Sequence, residues 1–252
     1  MDFEHVKAVF EEYLNGYDRE NDKVKLKIVH TYGVIRCSEE IGRRMGLQAE
    51  DMELAKLIAL LHDIGRFEQL KRFNSFEADT MDHATYGVQV LFEEGMIRQF
   101  IEEDTWDDVI RTAIAKHSDY ELTGITDERT LLHARLIRDA DKLDNCRVKL
   151  EDAMETLLDL SADEVGKYAI SPKVREDAFA GKCICSKDRR TPMDYWVSYV
   201  AYFYDLNFRE TLDIVAEEQY VKRIIGRVPY TNEQTKKTME ELERQLTEYV
   251  RR

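Results

Sequence analysis

Proline is nearly missing from this chain and glycine is scarce, with 3 and 11 among 252 residues. With so few breakers, the long stretches of helical periodicity read as helix and not strand. Cysteine is also sparse. Cys37, Cys146, Cys183 and Cys185 show no CxxC spacing and no disulfide density, and they read as reduced thiols of a cytoplasmic protein. No run approaches the ~20 apolar residues of a membrane span, and the opening Met-Asp-Phe-Glu-His-Val-Lys lacks the apolar stretch of a signal peptide. Positive charge is in deficit: Lys and Arg number 37 against 51 Asp and Glu, a net charge of −14. Such a surface disfavours a nucleic-acid scaffold role. A small phosphate-bearing substrate stays compatible, because a bound metal reverses the local charge.

What is present is core. Hydrophobic residues make up 43% of the chain, enough for one large domain, and no repeat, low-complexity segment or linker interrupts residues 1–252. Periodicity predicts helices over about Phe3–Leu14, Val24–Met45, Asp51–Leu61, His83–Glu94, Thr105–Lys116 and Asp127–Asn145. Further helices are expected over about Met193–Tyr204, Arg209–Ile225 and Asn232–Tyr249. The polar stretch Arg66–Asp82 reads as irregular, and residues 180–192 read as a short hairpin or ordered loop.

The chemistry gathers at His62-Asp63, at the end of the apolar run Leu57-Ile58-Ala59-Leu60-Leu61. Imidazole nitrogen beside carboxylate oxygen suits Mn, Fe, Co, Ni or Zn. Other polar residues fall on apolar helical faces. His30 is in register with Val34, Cys37, Ile41 and Met45; His117 follows Trp106, Ile110 and Ala113; Asp141 sits one turn after Ile137. Buried charge is costly unless paired or coordinating a metal, so a shared cation explains the three together. With His83, the set is spread over successive helices and is assembled by tertiary packing, unlike the local spacing of a zinc finger.

The order His30…His62-Asp63…Asp141, ending in Ala140-Asp141-Lys142-Leu143-Asp144-Asn145, resembles the HD-domain superfamily of metal-dependent phosphohydrolases. The resemblance covers about residues 24–150. It implies an all-α helical bundle; it does not assign residues 151–252, which are expected to form a C-terminal helical extension within a single domain. It also implies hydrolysis of a small phosphate ester or anhydride, a nucleotide or phosphorylated metabolite, by a metal-bound hydroxide. On the resemblance His30, His62, Asp63 and Asp141 are the core metal ligands and Asp141, not Asp139, is the last. His83 and His117 fall where two-metal members place extra histidines, so two divalent transition metals per chain are expected. Asp63 would then bridge them, holding one ion with His30 and Asp141 and the other with His83 and His117. The alternative has His83 and His117 line the pocket and bind phosphate. A mixed-valent di-iron oxygenase would use the same six ligands, and a non-catalytic ligand-binding module is a third reading.

Arg66 and Lys142 are the expected phosphate contacts, Arg as a bidentate fork and Lys as a point charge. His5 reads as a surface or packing residue and His133 as a hydrogen-bonded structural one. Cys183 and Cys185 read as ordinary thiols, and the basic cluster Lys182, Lys187, Arg189 and Arg190 as a solvated hairpin. The aromatic run from Tyr195 to Tyr204 is core, or the face of a homodimer.

Overall fold

Asp2 opens the first helix, α1 (Phe3–Leu14), by accepting hydrogen bonds from the backbone N–H groups of Glu4 and His5. In the computed structural model, which describes residues 1–77 and 79–252, no strand occurs among the described residues. Clustering of the backbone divides the chain into two compact units, residues 1–144 and 145–252. No helix among the described residues is long and apolar enough to cross a membrane.

In the first unit, α2 (Asp22–Met45) starts on an Asn21 cap and closes at Gly46, whose φ of 72° is the left-handed conformation that glycine adopts without strain. It packs on α3 (Ala49–Leu61), the most apolar helix of the unit. Leu54, Leu57, Ile58, Leu60 and Leu61 of α3 are all buried. Over residues 54–61 only Lys56 is not fully buried, so this end of the helix has almost no face to give to solvent, and each of these side chains contributes roughly 1.5–3 kcal/mol on burial. That anchorage fixes the exit point of α3, where His62 follows directly.

The chain turns once at Asp63 and enters α4 (Ile64–Phe73). This corrects the irregular reading of residues 66–73. Ile64, Phe67 and Leu70 form a buried stripe, while Glu68 and Arg72 pair across the solvent side at 2.7 Å. The stripe is narrow and lies among charged residues, which is why the polar composition concealed it. Asn74 ends the helix at φ 47°. Next come α5 (His83–Val88), α6 (Ile97–Phe100), α7 (Asp107–Lys116) and α8 (Glu128–Glu151). The predicted helix over 83–94 is α-helical only to Val88 and continues as one π-helical stretch, Gln89–Glu93. Helix α5 packs on α4 and α7. Gly65 permits that approach: a Cβ there would lie 2.2 Å from the His83 carbonyl oxygen and 2.7 Å from the Gly87 nitrogen.

The second unit begins inside α8 and continues through α9 (Met154–Leu158), α10 (Ala162–Val165), α11 (Pro172–Phe179), α12 (Pro192–Ala201), α13 (Arg209–Glu217), α14 (Tyr220–Ile225) and α15 (Glu233–Arg251). Trp196 is fully buried in its core, and α15 turns Met239, Leu242, Leu246 and Val250 inward. The predicted helix over 193–204 stops at Ala201 and tightens into a 3-10 turn, Tyr202–Asp205. The one over 209–225 breaks at Gln219, at φ 52°. Residues 182–191 form an irregular segment with a single 3-10 turn at Ser186–Asp188. It is tied down by the buried Asp194 carboxylate, which accepts from the backbone N–H groups of Arg190 and Thr191 and from Ser171.

Candidate metal centre

Two histidines of the first unit are built alike. His62 stands immediately after α3 and His117 immediately after α7. Each lies 2.7–2.8 Å through Nδ1 from the carbonyl oxygen three residues back, Ala59 for His62 and Ile114 for His117. A carbonyl only accepts, so Nδ1 carries the proton and the Nε2 lone pair points away from the helix. Both lone pairs point toward Asp63. His62 Nε2 lies 3.5 Å from Asp63 Oδ2 and 3.9 Å from Asp141 Oδ1, and His117 Nε2 lies 3.6 Å from Asp63 Oδ1. The Nε2 of His62 is buried and has no hydrogen-bond partner among the described residues.

His30 is oriented by a carboxylate. Its Nδ1 lies 2.8 Å from Asp144 Oδ2, and its Nε2 lies 2.9 Å from Asp141 Oδ1. A neutral imidazole has one N–H to give, so the second contact needs another proton or a cation between nitrogen and oxygen. Gly33, one turn along α2, makes room for this arrangement: a Cβ there would sit 1.9 Å from Asp144 Oδ1. His83 enters from the start of α5. Its Nε2 lies 3.2 Å from Asp63 Oδ1, 3.1 Å from His117 Nε2 and 2.8 Å from Arg66 Nη2.

The electrostatics keep His62 and His83 neutral and Asp63 and Asp141 ionised. Burial pushes the His62 imidazole down to about 4, against the pull of Asp63 and Asp141. Burial and then the Arg66 charge push His83 down to about 3. Burial alone would raise Asp63, but Lys27, His62 and Arg66 hold its carboxyl well below the usual range. Asp141 is likewise held low against its burial, chiefly by His30. Neutral imidazoles and ionised carboxylates are the protonation states that metal ligation requires. Among the described residues two triads have ligand atoms close enough to share an ion: His30, His62 and Asp141, and His62, Asp63 and His117.

This donor set has a counterpart among known families. The family described as HD domain matches residues 28–146. The protein contains an HD domain. That is a metal-dependent hydrolase-type fold, and the His and Asp groups of this chain are compatible with metal binding. No curated protein and no solved structure gives a significant match to the chain.

The HD domain thus draws His30, His62, Asp63, His83, His117 and Asp141 to one place. Asp139 is also buried, but it is Asp141 whose carboxylate meets His30. Asp141 is the most open of the six at 24% side-chain exposure, against 8% or less for the others, so solvent reaches the centre from its side. Arg66 borders the centre: Nε is 3.7 Å from Asp63 Oδ1, and Nη1 donates to Gln69 Oε1 and the Phe76 carbonyl. Lys142 follows Asp141 in sequence, and its Nζ lies 3.4 Å from the Arg138 carbonyl, back along α8.

Two further histidines serve the scaffold. His133 Nε2 pairs with Asp51 Oδ1 at 3.0 Å, and His5 Nε2 meets the Gln99 carbonyl at 2.9 Å. The sequence pattern did not single out two residues of the centre. Asp144 follows Asp141 by three and Lys27 precedes His30 by three, each on the helical face of a residue that it did. Lys27 Nζ lies 2.5 Å from Asp63 Oδ2.

Proposed function

We propose that the protein is a metal-dependent phosphohydrolase acting on a small phosphate ester or anhydride, a nucleotide or a phosphorylated metabolite. In this reading His30, His62, Asp63 and Asp141 form the core ligand set, and His83 and His117 join Asp63 around a second ion. The observation that carries it is the buried, unpartnered Nε2 of His62, facing Asp63 and Asp141. An imidazole lone pair excluded from water and from every hydrogen bond is costly unless a cation takes it up.

A bound divalent ion of this kind acidifies a water for attack at phosphorus and neutralises charge on the phosphoryl oxygens. The remaining work falls to the chain. Asp144, Ala59 and Ile114 hold the imidazoles of His30, His62 and His117 in one tautomer and one orientation, so little reorganisation accompanies binding. Asp63, fixed between α3 and α4, sets the spacing of the two halves of the centre. Arg66 offers a planar fork at the edge of the pocket, suited to two phosphoryl oxygens. Lys142, next to Asp141 in sequence, is the second cation this reading assigns to phosphate.

Metal content of protein purified without chelator, measured by mass spectrometry beside a panel of phosphate esters and anhydrides with added Mn, tests this reading. About two ions per chain with phosphate release is the expected result. One ion with release reassigns His83 and His117 to phosphate binding. Two irons with oxygen uptake and no release replaces the hydrolase with an oxygenase, and protein that takes up no metal overturns the proposal.

A further inference from the structure

Lys27 stands one turn before His30 on α2, so its stem and the imidazole leave the helix on the same face. Its side chain is only 12% exposed, and its ammonium lies 2.5 Å from Asp63 Oδ2. The two oxygens of Asp63 face different neighbours. Oδ1 looks toward His83, His117 and Arg66, while Oδ2 looks toward His62 and Lys27. The ammonium therefore sits on the oxygen that turns toward the core ligand set. An ion ligated by that oxygen and Lys27 Nζ compete for the same lone pairs.

Charge balance favours release of the ammonium once an ion is bound. Asp63 and Asp141 together carry two negative charges, which one divalent ion cancels. The positive charge of Lys27 is then in surplus beside an ion of like sign, and the charge it lacks is that of a phosphoryl group. The side chain can move. Lysine places a compact charge on a flexible four-carbon stem, and the Phe76 ring, 5.8 Å from Nζ, is a second favourable neighbour within reach of the ammonium. The Phe76 carbonyl is in turn held by Arg66 Nη1 at 3.3 Å. An ammonium that leaves Asp63 toward Phe76 thus stays beside the guanidinium already assigned to phosphate.

We propose that Lys27 is a substrate-binding residue released by the metal: ion binding displaces its ammonium from Asp63, and the ammonium then engages a phosphoryl oxygen of the substrate. The inference rests on the phosphohydrolase reading and adds a residue to its phosphate contacts.

Calorimetric titration of full-length protein tests it without any turnover. Mn is titrated into chelator-treated wild type, K27M and K27R, and inorganic phosphate is then titrated into each Mn-loaded protein. With its internal competitor gone, K27M binds Mn about tenfold more tightly than wild type and phosphate about tenfold more weakly. K27R keeps the charge and binds phosphate within about threefold of wild type. A K27M that folds only when Mn is added supports the proposal as well, since the ion then does for Asp63 what the ammonium did. Unchanged or weaker Mn binding by K27M overturns it, as does phosphate binding that K27M leaves intact. Wild-type protein that takes up no Mn is a separate result, which overturns the phosphohydrolase reading and this inference with it.

Discussion

Asp144 Oδ2 lies 2.8 Å from His30 Nδ1, and this contact decides which nitrogen of His30 faces the centre. Carboxylates in this position fix the tautomer of a ligating histidine and raise its basicity, and their loss typically lowers metal affinity 10–100-fold. D144N is therefore expected to weaken Mn binding by about that factor while the far-ultraviolet circular dichroism stays that of wild type. G33A is expected to do the same from the opposite side, because its Cβ would displace the Asp144 carboxylate. Equal Mn affinity for wild type and D144N, by calorimetry, would show that His30 needs no such support.

Stability should fall as the pH drops below neutrality. An unfolded histidine takes up a proton near pH 6.5, whereas His62 and His83 resist protonation in the fold until about 4 and about 3. Between those limits the unfolded chain binds more protons, so its free energy falls relative to the native state. The expected loss is of order 1–2 kcal/mol per imidazole at pH 5. Thermal melts of chelator-treated protein at pH 7.5 and pH 5 measure it. A melting temperature that holds steady across this interval would contradict the burial argument.

G65A probes the backbone contact beneath His83. In an open helix the change from glycine to alanine gains up to about 1 kcal/mol. Here the new methyl meets the His83 carbonyl and the Gly87 nitrogen, both backbone atoms that cannot rotate aside. Overpacking of this kind costs about 1–3 kcal/mol. Urea unfolding should accordingly place G65A below wild type, and a variant more stable than wild type would contradict the close approach of α4 and α5.

H133A separates scaffold from centre. His133 is buried and pairs with Asp51, which Arg129 also holds at 2.7 Å. Removing one partner of such a network costs about 1–3 kcal/mol. A fall in stability with Mn affinity unchanged is the expected outcome. A tenfold loss of affinity would instead tie His133 to the metal.

The fold and much of the centre were legible in the sequence for one reason: polar residues on apolar helical faces stand out against a regular period. His30, His117 and Asp141 broke such stripes, and the structure places all three beside His62 and Asp63. Helix α4 was not legible, because three buried apolar residues among ten form too thin a stripe to show through a lysine, two arginines and a glutamate. Lys27 and Asp144 were missed for a different reason. A charged residue in a charged helix carries no anomaly of its own, and only tertiary contacts distinguish a buried lysine from a solvated one. The breaks at Val88 and Gln219 depend on local backbone geometry, to which the hydrophobic period is blind.

The exit of α3 has a consequence for the metal-free protein. Leu57, Ile58, Leu60 and Leu61 bury the end of α3, and the next residue puts there a nitrogen with no hydrogen-bond partner among the described residues. Leaving that nitrogen without a partner costs the metal-free fold of order 1–3 kcal/mol. On the phosphohydrolase reading a bound ion removes that cost, so Mn-loaded protein is expected to outlast chelator-treated protein in a thermal melt, and H62L to lose most of that difference.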